Sequence, residues 1–124
     1  MPVTYKEMVA AARAKIDVLT PAEAAAGPGV ILDVREPAEV QAGRVGGDFI
    51  HIPRGLLEPK ADADSGMGDQ ALLAAKSGPV LVLCAAGGRA ALAAAALCDM
   101  GYDARLIEGG FAGWKKAGLP VAEG

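Results

Sequence analysis

The chain has 124 residues, of which 52% are apolar and 22% charged, with a formal net charge of −3. This length suits one domain with its own core, and so mild a charge leaves no footprint for nucleic acid or an acidic membrane surface. Aromatic residues make up only 4%, so the core must be assembled from Val, Leu, Ile and Ala.

Taken in chain order, TYKEMVAAARAKI (4–16) is patterned as an amphipathic helix. Lys6, Arg13 and Lys15 are scattered through it, which argues against a signal peptide or membrane span and places the protein in the cytoplasm. In LTPAEAAA, Thr20 stands as N-cap, Pro21 at the first helical position and Glu23 where it closes a capping box. GVILDV (29–34) is a β-branched run bounded by glycine and charge, and predicts a buried strand. EPAEVQAG predicts a short helix stopped at Gly43, and DFIHIP a second strand ended by Pro53. The polar, small-residue stretch EPKADADSGMGDQ (58–70) reads as a solvated surface loop before a helix in QALLAAK. PVLVLC (79–84) is the most continuous apolar strand, RAALAAAALCDM a helix with Gly101 as its C-cap, and DARLI a further strand. GGFAGWKKAG (109–118) predicts a turn into a last short helix.

Strands alternating with helices at this spacing predict an α/β domain on a mainly parallel sheet. Ligands of such sheets bind outside the carboxyl ends of strands, and Cys84 lies at one such end. The loop CAAGGR then combines small residues with glycines that admit tight backbone curvature. Successive N–H groups from Ala85 to Arg89 can form an anion-binding nest, reinforced by the unpaired amides and dipole of the following helix. A thiol in such a cradle ionises readily. Arg89 adds a full positive charge at the rim, suited to steering an anionic substrate or bracing the loop. The residues alone leave two readings open: an activated nucleophile, or a core cysteine in a strand-to-helix turn.

The second cysteine, Cys98, lies about 13 Å further along the predicted helix and reads as a packed apolar side chain, badly placed to resolve Cys84. Two cysteines and one histidine, His51, are too few for a structural zinc site, and two thiols in a reducing compartment predict no disulfide.

ILDVREPAEVQAGRVGGDFIHIPRGLLE, VLVLCAAGGRAALAAAAL and MGYDARLIEGGFAGWKKAGLPV together resemble the single-domain rhodanese-like sulfurtransferases, from about Val30 to Val121. The resemblance implies a three-layer sandwich whose mainly parallel five-stranded sheet is flanked by helices. The whole chain is then one rhodanese domain, with residues 1–28 an N-terminal helical extension. It also implies that the Cys84 thiolate takes the sulfane sulfur of thiosulfate or a persulfide donor as a Cys84 persulfide. The sulfur then passes to a thiol or to cyanide, with Ala85, Ala86, Gly87, Gly88 and Arg89 binding substrate. Neither metal nor organic cofactor is needed. The expected partners are the small donor and acceptor, together with a sulfur-relaying protein, while the chain itself is a monomer or homodimer.

Phosphatases and arsenate reductases of this fold place five residues between cysteine and arginine, whereas four separate Cys84 from Arg89. The shorter loop favours the sulfurtransferase type. Two departures favour a non-catalytic or sulfur-carrier binding module instead: Ala85 where a basic residue is common, and Ala90 where a hydroxyl is. The family's GHIPGA segment is altered to GRVGGD (43–48), read as structural drift or a reshaped rim.

Of the remaining polar residues, Asp33, Arg35 and Glu39 read as structural support, with Arg35 bracing Glu36 or Glu39 and Asp33 ordering the loop through its amides. His51 reads as a structural hydrogen-bonding group, because a thiolate needs no general base. Phe111, Trp114 and Leu119 read as packing of the last helix.

Overall fold

The computed structural model describes residues 2–123. Local signals start its helices. Thr4 and Glu7 form a reciprocal capping box before α1 (Tyr5–Arg13), and Thr20 and Glu23 another before α2 (Pro21–Ala26). Between them β1 (Asp17–Leu19) pairs in parallel with β6 (Asp103–Ile107). The segment read as a helical extension therefore supplies an edge strand. Three residues with Val18 37% exposed carry too little alternation to announce it.

The chain continues through β2 (Val30–Asp33), α3 (Pro37–Ala42), β3 (Arg44–Val45) and β4 (Ile50–His51). A 3-10 turn (Arg54–Leu56) and α4 (Leu57–Ala61) follow, then α5 (Gln70–Ala75), β5 (Pro79–Leu83), α6 (Gly88–Asp99), β6, α7 (Gly110–Lys116) and β7 (Val121–Ala122). Helix α4 occupies the start of the stretch expected as loop. Leu57 and Ala61, spaced i, i+4, are buried, and Pro59 falls in the first turn, where a missing N–H does no harm. At the other end of α6, Gly101 takes φ +94, and Gly101 and Tyr102 donate back to Cys98 and Leu97 (3.1 and 3.0 Å). That is the glycine C-cap expected there.

The central sheet has five strands in the order β1-β6-β5-β2-β4, every pair parallel. Side chains alternate between its faces. Val80, Val82 and Cys84 join a cluster with α1, α4, α5 and α6, while Leu81 and Leu83 join α2, β3 and α7. The result is the expected α/β sandwich with helices on both sides. From β2 the chain moves outward to β4, and from β5 it moves the other way to β6. The strand order thus reverses between β2 and β5, and the crevice beyond their carboxyl ends is the place where such sheets bind ligands.

A separate two-stranded antiparallel sheet, β3 with β7, ties the chain end back onto the domain. Gly46 of the altered GRVGGD segment donates to Pro120 (2.8 Å), and a Cβ there would sit 3.0 Å from the proline ring. This departure is absorbed by packing on the C-terminal segment. Among the described residues no helix is long and apolar enough to cross a membrane.

The α2 capping box gives the first prediction. Thr20→Ala removes the side-chain acceptor of the Glu23 amide (3.1 Å) and should cost about 1 kcal/mol. Urea unfolding should show a lower midpoint with unchanged slope.

Candidate functional site

Strand β5 ends at Leu83, whose carbonyl accepts from Val34 (2.9 Å), so sheet pairing extends to the foot of Cys84. The Cys84 side chain is 1% exposed and lies on the α6 face. Beyond it the chain curls through Ala85 and Ala86 to Gly87, which takes φ +124, ψ −20 as N-cap of α6. A side chain would be strained in that conformation. The turn it makes aims the Gly87 N–H at Cys84 Sγ, 3.0 Å away.

The orientation of the other loop amides follows from helix α7. Phe111 N–H donates to the Cys84 carbonyl (2.7 Å) and Ala112 N–H to the Ala85 carbonyl (3.2 Å). In a trans peptide the C=O and the next N–H point opposite ways. Both carbonyls face α7 on one side of the sheet, so the Ala85 and Ala86 amides face the other, the side of the sulfur. The first-turn amides of α6 lack helical acceptors as in any helix. Loop amides therefore face the side of the sulfur, and the Gly87 N–H is the one bonded to Sγ.

This arrangement needs α7 to approach very closely. Gly109 and Gly110 take φ +76 and +61, and a Cβ on Gly110 would run into the Cys84 carbonyl oxygen and lie 2.7 Å from the Ala85 carbonyl carbon. The turn expected at 109–110 is thus also the point of closest approach to the loop, at Gly110. The doubled glycine at a helix start was the available signal.

The expected supporting residues are all near the site, in different pairings. Asp33 and Arg35 are 0% and 4% exposed and bind each other. Arg35 donates to Asp33 from Nε (3.1 Å to each oxygen), Nη2 (2.8 Å) and its backbone N–H (3.0 Å). Arg35 Nη2 also donates to the Gly43 carbonyl (2.8 Å), and the guanidinium lies 4.4 Å from the Phe111 ring centre. Its carboxylate partner is thus Asp33, not Glu36 or Glu39, and Asp33 orders Arg35 instead of reaching the loop. The brace acts on the loop indirectly, because Phe111 is the residue whose N–H holds the Cys84 carbonyl.

Glu39 instead takes Arg89 in a bidentate pair (2.7 and 3.0 Å). The Arg89 guanidinium holds the Glu39 carboxyl down to about 2, and Glu39 in turn raises Arg89. Arg89 is therefore a partly neutralised rim charge, tied across from α6 to α3.

His51 Nε2 donates to the Arg35 carbonyl (2.8 Å), a structural bond. Cys98 is a free, half-buried thiol donating to the Ala104 carbonyl (3.3 Å). Phe111 and Trp114 pack in the second core cluster with Leu119 beside them, and Trp114 Nε1 donates to Pro120 (2.8 Å). A cavity of about 300 Å³ is lined by Arg35, Glu39, Gly43 and Phe111 of this bracing network, and one of about 570 Å³ by residues that include Phe49, Ile50 and Trp114; neither includes Cys84 in its lining. Among the described residues no cluster of three His, Cys, Asp or Glu side chains is placed to hold a metal ion.

Two predictions follow from these contacts. Gly110→Ala must strain a left-handed backbone, at about 1–2 kcal/mol, and collide with the loop. It should lower the melting temperature and expose Cys84 to alkylation. The Glu39 carboxyl, held below its ordinary 4.5, contributes stability that is complete above that value and lost as pH falls through about 2. Urea midpoints of wild type and Glu39→Gln should differ by a constant amount near neutrality and converge towards the acid end.

Comparisons with known proteins agree with this architecture. The family model of the rhodanese-like domain matches residues 16–117. A protein of unknown function from Rhodopseudomonas palustris, described as a possible tyrosine phosphatase, is 34% identical over 98% of this chain and 99% of its own, with a TM-score of 0.84. The polysulfide-sulfur transferase homodimer of Wolinella succinogenes is 33% identical over 97% of this chain and 88% of its own, at 0.70. A rhodanese-related protein from Thermoplasma volcanium is 26% identical over 86% and 97%, at 0.65. With a sheet, a switch-point cysteine and a matched span that cover most of its length, the chain belongs to the rhodanese-like family.

Proposed function

We propose that the protein is a sulfurtransferase that carries sulfane sulfur as a persulfide on Cys84. The observation that supports this most is the cradle itself: a buried thiol at the topological switch point, with the Gly87 N–H on Sγ and both neighbouring loop carbonyls turned away. Preorganised donors of this kind stabilise charge on a bound atom without reorganising.

In the first half-reaction the Cys84 thiolate attacks the outer sulfur of the donor. A new S–S bond forms, the donor's own S–S bond breaks, and its electron pair leaves as sulfite from thiosulfate or as a thiolate from a persulfide. In the second, a thiol or cyanide attacks the outer sulfur and the Cys84 thiolate departs. No external oxidant or reductant enters, and the kinetics should be ping-pong. The amides of 85–89 hold the charge on the outer sulfur. Because Glu39 shares the Arg89 charge, these amides contribute more to anion binding than the guanidinium does. Two free thiols suit a reducing compartment such as the cytoplasm.

A phosphatase reading is raised by the R. palustris relative. It is disfavoured by the four-residue spacing from Cys84 to Arg89 and by Glu39 occupying two of the guanidinium nitrogens. Aryl phosphate should not be turned over. A pure binding module, the reading that Ala85 and Ala90 suggest, would leave the Gly87 N–H held on a buried thiol without a task.

Intact mass separates these readings. Reduced wild type incubated with thiosulfate or a persulfide donor should gain one sulfur, about 32 Da, since the thiolate is the attacking species. Cyanide should remove it and Cys84→Ser should not acquire it. No gain from either donor would sink the enzyme reading.

A further inference from the structure

We propose that Tyr5 is a substrate-contacting residue of this site. Its phenol O–H donates a hydrogen bond to the group that leaves when the sulfane sulfur passes to Cys84. The inference rests on the sulfurtransferase reading and adds the N-terminal helix to the machinery.

The placement starts with the capping box. Thr4 and Glu7 fix the start of α1, which makes Tyr5 its first helical residue. Further along, Val9 and Ala12 join the core cluster that contains α6. At the far end Arg13 pairs with Glu108 (2.7 Å), the residue just before Gly109 and Gly110. Both ends of α1 are thus fixed along the sheet edge that carries the sulfur loop.

Tyr5 then meets the loop at Gly88. A Cβ on Gly88 would run into the Tyr5 hydroxyl and lie 2.9 Å from its ring carbon Cζ. Gly88 is not among the positive-φ glycines, so its backbone does not require glycine. The space a side chain at 88 would take is occupied by the tyrosine. Gly88 adjoins Gly87, the donor to Sγ, so the phenol stands at the margin of the cradle.

Two further observations give the hydroxyl a task. Tyr5 is 61% exposed, so core packing does not account for it and a ligand at the mouth can reach it. The loop itself has no hydroxyl, since Ala85, Ala86, Gly87, Gly88 and Ala90 carry none, and its one cation is held by Glu39. The polar side chain missing from the loop arrives from α1.

The chemistry assigns it to one half-reaction. As the donor's S–S bond breaks, its electron pair settles on the departing sulfite or thiolate, and a neutral O–H donor stabilises that charge with no proton transferred. When cyanide later removes the sulfur, the departing group is the Cys84 thiolate, which the loop amides serve.

Single-turnover loading with thiosulfate and unloading with cyanide, both followed by intact mass, test this on wild type and Tyr5→Phe. The variant keeps the ring against Gly88 and loses only the O–H. Loading should slow about tenfold, the scale of one hydrogen bond to a charged group, with unloading unchanged. Alkylation of Cys84 by iodoacetamide, located by peptide mapping, should proceed at the wild-type rate. Equal loading rates in the two proteins would overturn the role of Tyr5 while leaving the sulfurtransferase intact. Equal slowing of both half-reactions would overturn it in favour of a structural role. A wild type that gains no sulfur from thiosulfate or a persulfide would instead remove the parent reading, and this one with it.

Discussion

Two backbone hydrogen bonds organise this molecule, from Phe111 and Ala112 of α7 to the carbonyls of Cys84 and Ala85. A strand running straight into a helix has no reason to turn its connecting carbonyls to one side. Helix α7 supplies the reason, and peptide planarity carries the amides to the other. Gly110 permits that approach, since a Cβ there would meet the Cys84 and Ala85 carbonyls. The shape of the loop is therefore a tertiary property, created by a helix that follows it by some two dozen residues.

The charged groups around the loop brace this geometry. Asp33 neutralises Arg35 in the interior, and Arg35 lies over the ring of Phe111, the residue that holds the Cys84 carbonyl. A buried arginine without its carboxylate would be costly, so the two come as a unit. Glu39 and Arg89 form the outer counterpart, tying α3 to the first turn of α6. Among the described residues no buried side-chain nitrogen or oxygen lacks a partner, as expected of a site whose precision depends on satisfied polar contacts.

Much of the fold was legible because its signals are local. The β-branched runs of β2 and β5, the Thr20-Pro21-Glu23 start and Gly101 each name an element through short-range chemistry, and all four elements are present. What stayed hidden lacks such chemistry: β1, β3 and β7 are two or three residues long and owe their pairing to distant partners. Helix α4 was masked by Pro59 and its polar neighbours, although Leu57 and Ala61 marked its buried stripe. In the site, Cys84 and its glycines could be read directly. The partners of the four charged groups could not, because Asp33, Arg35, Glu39 and Arg89 allow several sensible pairings and only packing selects one. Tyr5 was invisible for the same reason: nothing in TYKEM indicates that its ring meets Gly88.

The most direct test of the cradle is an experimental structure of the protein after reaction with a sulfur donor. The outer sulfur should lie on Cys84, ringed by the amides of residues 85–89, with the Phe111 and Ala112 hydrogen bonds intact and the loop backbone in place. A sulfur found on Cys98, or a loop whose carbonyls have turned towards the sulfur, would contradict the claim that α7 shapes these amides for it.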